Sequence, residues 1–552
     1  MGKTLRSKRV NYKMLLLVVI LLYALSYSLI FFIGPSNYSD DYAYTWLAYE
    51  VYHGAFAESQ YDASVRLLTF APIALFYAAF GITPLSSSAW SMLSYLLTVA
   101  ITFFIGKEVY NENAGLLGAA LLTFFPLINK YATTVNDDTE LMLFTSFLIL
   151  ALLLAKKRNS NAWYLISGAT LVTLPIVTPY GLFIGVCAVI YLLFELITRG
   201  IPANRTTAYL LYGLVLAALV AMGINYASSG NPIITLTTEV ASTYNPVLVN
   251  GWGNTLNILP GIMFPYNVYH IVVSAIEQGN FNPWSIWSQV YVINYNEVGF
   301  YYYIFVVAAA YLLLKRDKKT FYVLFWFFVP LLLFEFGPGS LRFSPFQYIL
   351  GPKNDRYLLI IAAPMVLTIA IAALKAIEKG RTKKRRISKI RRIGGVIISV
   401  AGLLFLVSTA ILPGLVWYNM FAYAKYYVVN ISNYLSILPN STKIYFYNGF
   451  PVMLYMHYDN YTRFAAYDAI ENCSNITQDS YIIIPESMQV SNLDYTPNPE
   501  NYCPSWRLVL DPINTSYPQY ITVAEPYLSA KLYYVPSYNR TAYGEGGQKV
   551  VQ

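Results

Sequence analysis

The sequence predicts a polytopic α-helical membrane protein ending in a small external α/β domain. Three observations carry this expectation. Hydrophobic residues fill 57% of the 552 positions and charged residues only 12%, against about 25% charged in a soluble domain. Apolar runs repeatedly approach the roughly 20 residues a helix needs to cross a bilayer. The basic residues gather between alternate runs rather than spreading evenly.

The first run, 14–33, follows Lys3, Arg6, Lys8, Arg9 and Lys13. A cleaved signal peptide has a shorter apolar core and a small-residue cleavage site, and Gly34-Pro35 is not one. The segment therefore reads as a retained helix with its N-terminus in the cytoplasm. Ten more spans follow, at 87–106, 114–132, 140–155, 162–177, 180–197, 207–227, 299–314, 320–336, 356–374 and 394–413, about 11 in all. With this parity, and Glu195 counted at the inner end of its span, the inner side holds 25 of the 37 Lys and Arg and 5 of the 28 Asp and Glu. That asymmetry is the positive-inside pattern. It assigns the basic run 379–392 to cytoplasmic anchoring and removes nucleic acid as a partner for a chain of net charge +9. The apolar stretch 67–82, with Pro72 inside, breaks the parity if it crosses, so it reads as a re-entrant or interfacial helix in the first external loop. Irregular backbone at membrane depth survives only against protein or a wet cavity.

Three external regions remain: 34–86, 228–298 and 414–552. The last alternates short β-branched and aromatic runs (444–447, 481–484, 506–510) with turn residues, as a small α/β domain does. It carries seven Asn-x-Ser/Thr sequons, at Asn430, Asn440, Asn460, Asn472, Asn475, Asn514 and Asn539, in keeping with external exposure. The domain organisation is therefore 1–413 membrane and 414–552 extracytoplasmic, in the plasma membrane. Of three cysteines, Cys187 lies in an apolar span as inert packing, and Cys473 and Cys503 are a disulfide candidate in the external domain.

Chemistry-bearing residues sit at the outer ends of spans. Asp40 and Asp41 open the first external loop. Adjacent carboxylates raise one another's pKa, which suits a general base; a solvated loop start is the plainer reading. A second acidic group, Asp137, Asp138 and Glu140, directly precedes an apolar helix. Capping accounts for one such carboxylate but not for three at a membrane boundary, where ionisable groups mark function. Arg66 and Arg356 are among the few outer basic residues and suit a lipid-linked phosphate, with snorkelling or pairing to Asp62 and Asp355 as the alternative. His270 stands in a Tyr-rich external loop, as a surface hydrogen-bonding group or a ligand. No zinc-type Cys/His spacing, Gly-rich phosphate loop, nucleophile elbow or HExxH is present.

The order of these features resembles that of the membrane-embedded C-type glycosyltransferases, in particular their protein O-mannosyltransferase and lipid A aminoarabinose transferase branch (the dolichyl-phosphate-mannose-protein mannosyltransferase family). Asp40-Asp41-x-x-Tyr44-x-x-x-Ala48 is similar to that branch's Asp-Glu-x-x-Tyr-x-x-x-Ala signature. The stretch from Arg66 to Gly81 is similar to its basic residue, proline and aromatic run ending in Phe-Gly. Asp138-x-x-Leu141-x-x-Phe144, and Arg356-Tyr357-Leu358-Leu359 followed by Pro364, are similar to later motifs. The likeness covers roughly 14–374 and weakens after 200. Asp41 stands where the branch has Glu, and Ala71 where many members have a second proline. The Trp-Trp-Asp-Tyr-Gly signature of the oligosaccharyltransferase branch is absent.

The resemblance implies a hexosyltransferase that moves a sugar, with inversion, from a polyprenyl or dolichyl phosphate to a protein, lipid or glycan acceptor on the outer face. Asp40 would be the base, with Asp41 and Asp138 as catalytic partners; Arg66 or Arg356 would stabilise the departing phosphate. Asp137, Glu140, Tyr44 and His270 are secondary candidates. A divalent metal on the acidic pairs is possible in principle, but a donor with one phosphate needs it less, so metal-independent transfer is expected. The alternative is a lipid or sugar transporter or flippase without glycosyl transfer; transporters, however, carry repeat symmetry and midplane charges in broken helices. A non-catalytic scaffold would leave Asp40, Asp138 and Arg356 without a joint role.

Overall fold

The computed structural model describes residues 12–35, 40–58, 62–199, 203–243, 301–316, 320–336, 338–343, 346–350 and 355–382. In the C-terminal region it describes shorter pieces, chiefly 429–446, 464–466, 479–485, 507–510 and 530–535. The expected span 394–413, the loop around His270, and Cys473 and Cys503 lie outside the described residues.

The apolar runs are helices: α1 (Tyr12–Ile30), α2 (Asp40–Tyr52), α3 (Leu67–Phe80), α4 (Pro84–Val109), α5 (Glu112–Thr123), α6 (Pro126–Tyr131), α7 (Asp137–Arg158), α8 (Asn161–Val177), α9 (Gly181–Arg199), α10 (Ala203–Ser229), α11 (Ile234–Thr243), α12 (Tyr301–Leu314), α13 (Phe321–Phe336) and α14 (Leu359–Thr382). Five stretches are long and apolar enough to cross a membrane, and five shorter apolar helices accompany them. The chain is a multi-pass membrane protein.

Two expected features take a different form. The run 114–132 is not one helix: α5 ends at Thr123 and α6 begins at Pro126. Proline lacks the N–H that a continuing helix needs and is tolerated in a first turn. The region after 228 is not all loop, since α10 runs to Ser229 and α11 follows. The Pro72 stretch is a helix of 14 residues, about 21 Å long at 1.5 Å per residue. That is short of a crossing of about 30 Å.

The chain divides into two compact units: Met1–Phe32 with Ala57–Thr69 and Ser91–Leu415, and Ile33–Phe56 with Phe70–Trp90 and Val416–Gln552. In the first, α7 and α14 form the centre. Their most apolar windows are 83% and 89% buried, against 22% for α1 and 17% for α10. Tyrosine hydroxyls buried among the helices donate to backbone carbonyls: Tyr301 to Leu121 at 3.1 Å and Tyr322 to Ile149. In a medium without water each such donor needs a protein partner. Helices α8 and α10 approach through glycine. A Cβ on Gly168 would overlap the Leu210 carbonyl, and one on Gly213 would overlap that of Leu165, the small-residue contact by which membrane helices gain packing.

The basic helix ends gather at one end of this unit. Lys13 and Lys107 both reach Glu112, at 3.1 and 3.0 Å; Lys157 reaches Glu108 at 2.8 Å, and Lys156 reaches Glu195 at 2.6 Å. The start of α7 points to the opposite end.

The first unit also holds an antiparallel pair, β1 (Pro338–Phe343) and β2 (Phe346–Leu350). In the second unit, the C-terminal stretch holds a mixed five-stranded sheet in the order β4 (Phe464–Ala466), β3 (Lys443–Phe446), β5 (Ser480–Pro485), β7 (Ala530–Val535), β6 (Arg507–Leu510). β3 is parallel to both β4 and β5, and β7 is antiparallel to β5 and β6. Three of these strands grow from the β-branched runs that announce them in the sequence. In the same unit Tyr77 and Ser87 are hydrogen-bonded at 2.8 Å, closing α3 against the first turn of α4.

Candidate active site

The start of α7 assembles charge from three distant parts of the chain. Its N-cap is Asn136, whose side chain accepts from the Thr139 N–H at 2.9 Å and donates to the Tyr131 carbonyl at 2.9 Å. Capping is thus supplied by an amide, and neither Asp137 nor Asp138 is needed for it. Both sit in the first helical turn, where the dipole favours negative charge.

Each aspartate faces an arginine. Arg66, between a 3-10 turn (Asp62–Val65) and α3, donates from Nη1 to Asp137 Oδ2 at 3.2 Å. Arg356, in a second 3-10 turn (Asp355–Leu358), lies with Nε 3.0 Å from Asp138 Oδ2. The second contact is a close ion pair rather than an aligned hydrogen bond, since neither atom meets hydrogen-bond geometry there. The side chains are 12% and 5% exposed in the first pair and 19% and 2% in the second. Charges this deep persist because they are paired.

Neighbouring contacts hold the arginines in place. Thr69, one turn after Arg66, donates to the Val177 carbonyl at 3.1 Å, tying α3 to the end of α8. The guanidinium of Arg356 stands 5.9 Å from the Tyr357 ring centre, within cation–π range. Tyr357 donates to the Tyr180 hydroxyl at 2.8 Å. Tyr180 stands in the turn Thr178-Pro179-Tyr180-Gly181, closed by Gly181 N–H to Thr178 carbonyl at 2.9 Å. Glu140 accepts from Ser91 at 2.9 Å, and its other oxygen is buried without a hydrogen-bond partner among the described residues.

Of the residues read from the sequence, Arg66, Asp137, Asp138, Glu140 and Arg356 come together in the first unit. Asp40 opens α2, and its side chain lies outside the described residues. Asp41 and Tyr44 are buried in the second unit, at 2% and 1% exposure. Sequence reasoning missed Ser91 and Tyr180. Only the Pro-Tyr-Gly turn signal marked the latter. Among the described residues no group of three or more His, Cys, Asp or Glu gathers to hold a metal. Asp137 and Asp138 each give one oxygen to a guanidinium.

Residues 66–224 match the family model described as dolichyl-phosphate-mannose-protein mannosyltransferase. The resemblance is to the C-type glycosyltransferases. ArnT from Cupriavidus metallidurans shares the fold. Bound to undecaprenyl phosphate it aligns with a TM-score of 0.52 at 12% identity, over 95% of this chain and 99% of its own; the apo form gives 0.51. The archaeal oligosaccharyltransferase AglB from Archaeoglobus fulgidus, in complex with an inhibitory peptide and a dolichol-phosphate, aligns with a TM-score of 0.47 at 13% identity. That match covers 81% of this chain, which spans 64% of AglB. No curated protein matches the sequence. The C-type likeness puts Arg66, Asp137 and Asp138 inside the matched segment and leaves Arg356 beyond it.

Proposed function

We propose that this protein is an inverting glycosyltransferase that moves a sugar from a polyprenyl or dolichyl phosphate to a protein, lipid or glycan acceptor at the outer membrane face. One observation supports this reading above others: two partly buried arginines, from separate turns, are held by adjacent buried aspartates at one end of the bundle. A lone structural ion pair needs one arginine. Two converging on a single helix start suit a phosphate, whose several oxygens accept from guanidinium forks. The family match and the ArnT fold point to the same donor class.

In this reading Asp40 takes the proton from the acceptor as its oxygen or nitrogen bonds to the sugar C1. The C1–O bond to the phosphate breaks on the opposite face, and the lipid phosphate leaves with the electron pair. Arg66 and Arg356 stabilise the charge that develops on the leaving oxygen. Asp137 and Asp138 are positioning residues that fix the guanidiniums before donor binds. The gathering of Lys13, Lys107, Lys156 and Lys157 at the other end of the first unit supports a cytoplasmic N-terminus and an outer-face site by the positive-inside pattern. The C-terminal sheet, with its sequons, then belongs to an external domain.

The test is transfer by purified full-length protein in liposomes, with labelled polyprenyl-phosphate sugars as donors and native membrane extract as acceptor source. Wild type is compared with Asp40→Asn. Transfer that disappears in the folded variant supports both enzyme and base. Transfer that persists keeps the enzyme and moves the base to Asp41 or Asp138. No transfer from any donor by folded protein defeats the reading.

A further inference from the structure

The end of the first unit opposite Asp137 and Asp138 contains a cavity of about 950 Å3. Lys156 on its rim lies 18 residues along α7 from Asp138, about 27 Å away at 1.5 Å per residue. It is therefore a separate place from the candidate active site. The walls are apolar, and Phe194, Leu313 and Phe321 among them are 37%, 52% and 42% exposed, so the cavity opens sideways onto the surface that meets lipid tails. Among the described residues the charged lining is Glu108, Glu195, Lys156, Lys157 and Arg316: three cations against two carboxylates, a surplus of one positive charge.

That surplus falls on Arg316. Glu195 takes Lys156 at 2.6 Å and Glu108 takes Lys157 at 2.8 Å, while Arg316 forms no ion pair among the described residues. Its backbone is unusual as well. Arg316 has φ of 48°, following the last turn of α12, and among the described residues the other non-glycine with positive φ is Asn159 after α7. Asparagine tolerates the left-handed region, whereas a long side chain there is strained, which a glycine at a helix end avoids. The strained position thus carries the charge that, among the described lining residues, the carboxylates leave over.

We propose that this cavity binds the phosphate monoanion of a membrane lipid, with the phosphate on Arg316 and a hydrocarbon chain along Phe194, Leu313 and Phe321. An apolar trough ending in a single uncompensated guanidinium selects an amphiphile with an anionic head, and it rejects a zwitterion, whose own cation repels the surplus charge. Phospholipid and polyprenyl phosphate share this chemistry, and the measurement separates them.

The experiment is native mass spectrometry of the full-length protein from detergent, with added phosphatidylglycerol, phosphatidylcholine of the same chains, or a polyprenyl phosphate. Phosphatidylglycerol is expected to bind about tenfold more tightly than phosphatidylcholine, the worth of one charge-assisted contact. Arg316→Gly should abolish that preference while holding or raising the melting temperature, since it relieves the left-handed backbone; Arg316→Lys should keep most of it. If polyprenyl phosphate outcompetes phosphatidylglycerol in wild type but not in Arg316→Gly, the occupant is the polyprenyl lipid. Equal binding of the two phospholipids, or an undiminished preference in folded Arg316→Gly, overturns the proposal.

Discussion

Arg356 Nε lies 3.0 Å from Asp138 Oδ2, joining two residues from distant parts of the chain at the start of the most buried part of the bundle. The aspartate is 2% exposed and the arginine 19%, so each charge offsets part of the other's burial. Removing one partner of a buried pair costs about 3–5 kcal/mol, while removing both costs much less. Asp138→Ala is therefore expected to lower the melting temperature sharply in detergent. The double variant Asp138→Ala with Arg356→Ala should recover most of the loss. Equal melting temperatures for the single variant and wild type would show that the pair carries no stability.

Arg66 and Arg356 are expected to act on the departing phosphate. Arg66→Ala and Arg356→Ala should each reduce transfer by about 10²–10³, the cost of losing one stabilising donor. Lysine in their place should recover only part of the rate, because a point charge lacks the planar fork. The measurement is single-turnover sugar transfer at saturating donor, which separates the chemical step from donor binding.

The Gly168 and Gly213 contact predicts a steric effect without any charge. A Cβ at Gly168 meets the Leu210 carbonyl, and backbone does not yield as a flexible side chain does. Gly168→Ala should destabilise by about 1–3 kcal/mol, and Gly168→Leu by more. Gly185, whose Cβ would meet nothing within 4 Å, is the control: Gly185→Ala should be neutral or slightly stabilising, since alanine favours a helix. Thermal unfolding of the three variants decides it.

Tyr180 should matter through Tyr357. Tyr180→Phe removes the oxygen to which Tyr357 donates at 2.8 Å and leaves a buried hydroxyl unpaired, at a cost of about 1–3 kcal/mol. Because Tyr357 stacks beneath Arg356, donor KM is expected to rise more than kcat falls. A fall in kcat alone would place Tyr180 in contact with the reacting atoms.

Transfer is expected to survive chelation. Asp137 and Asp138 face arginines rather than an open oxygen cage. Activity lost in EDTA and restored by Mg²⁺ or Mn²⁺ would require a metal site built from other residues.

What the sequence determined by itself is what can be summed along one dimension. Mean apolarity over a window sets where a helix can cross, so the runs at 14–33, 140–155 and 207–227 reappear within α1, α7 and α10. The residue types at run ends name the chemistry, so Arg66, Asp138 and Arg356 stood out before any contact was known. Local rules also sufficed for strands such as β3 and β5, whose β-branched runs pair as expected. Apolarity alone runs through the break at Phe124-Phe125-Pro126, which the proline marks locally. Tertiary structure decided the rest. Capping by Asn136 rather than by an aspartate freed both carboxylates for arginines. The pairing of Arg66 with Asp137, 71 residues apart, and the choice of Asp138 for Arg356 follow from which helix ends meet. An ion pair is a distance in space, and no window along the chain contains it.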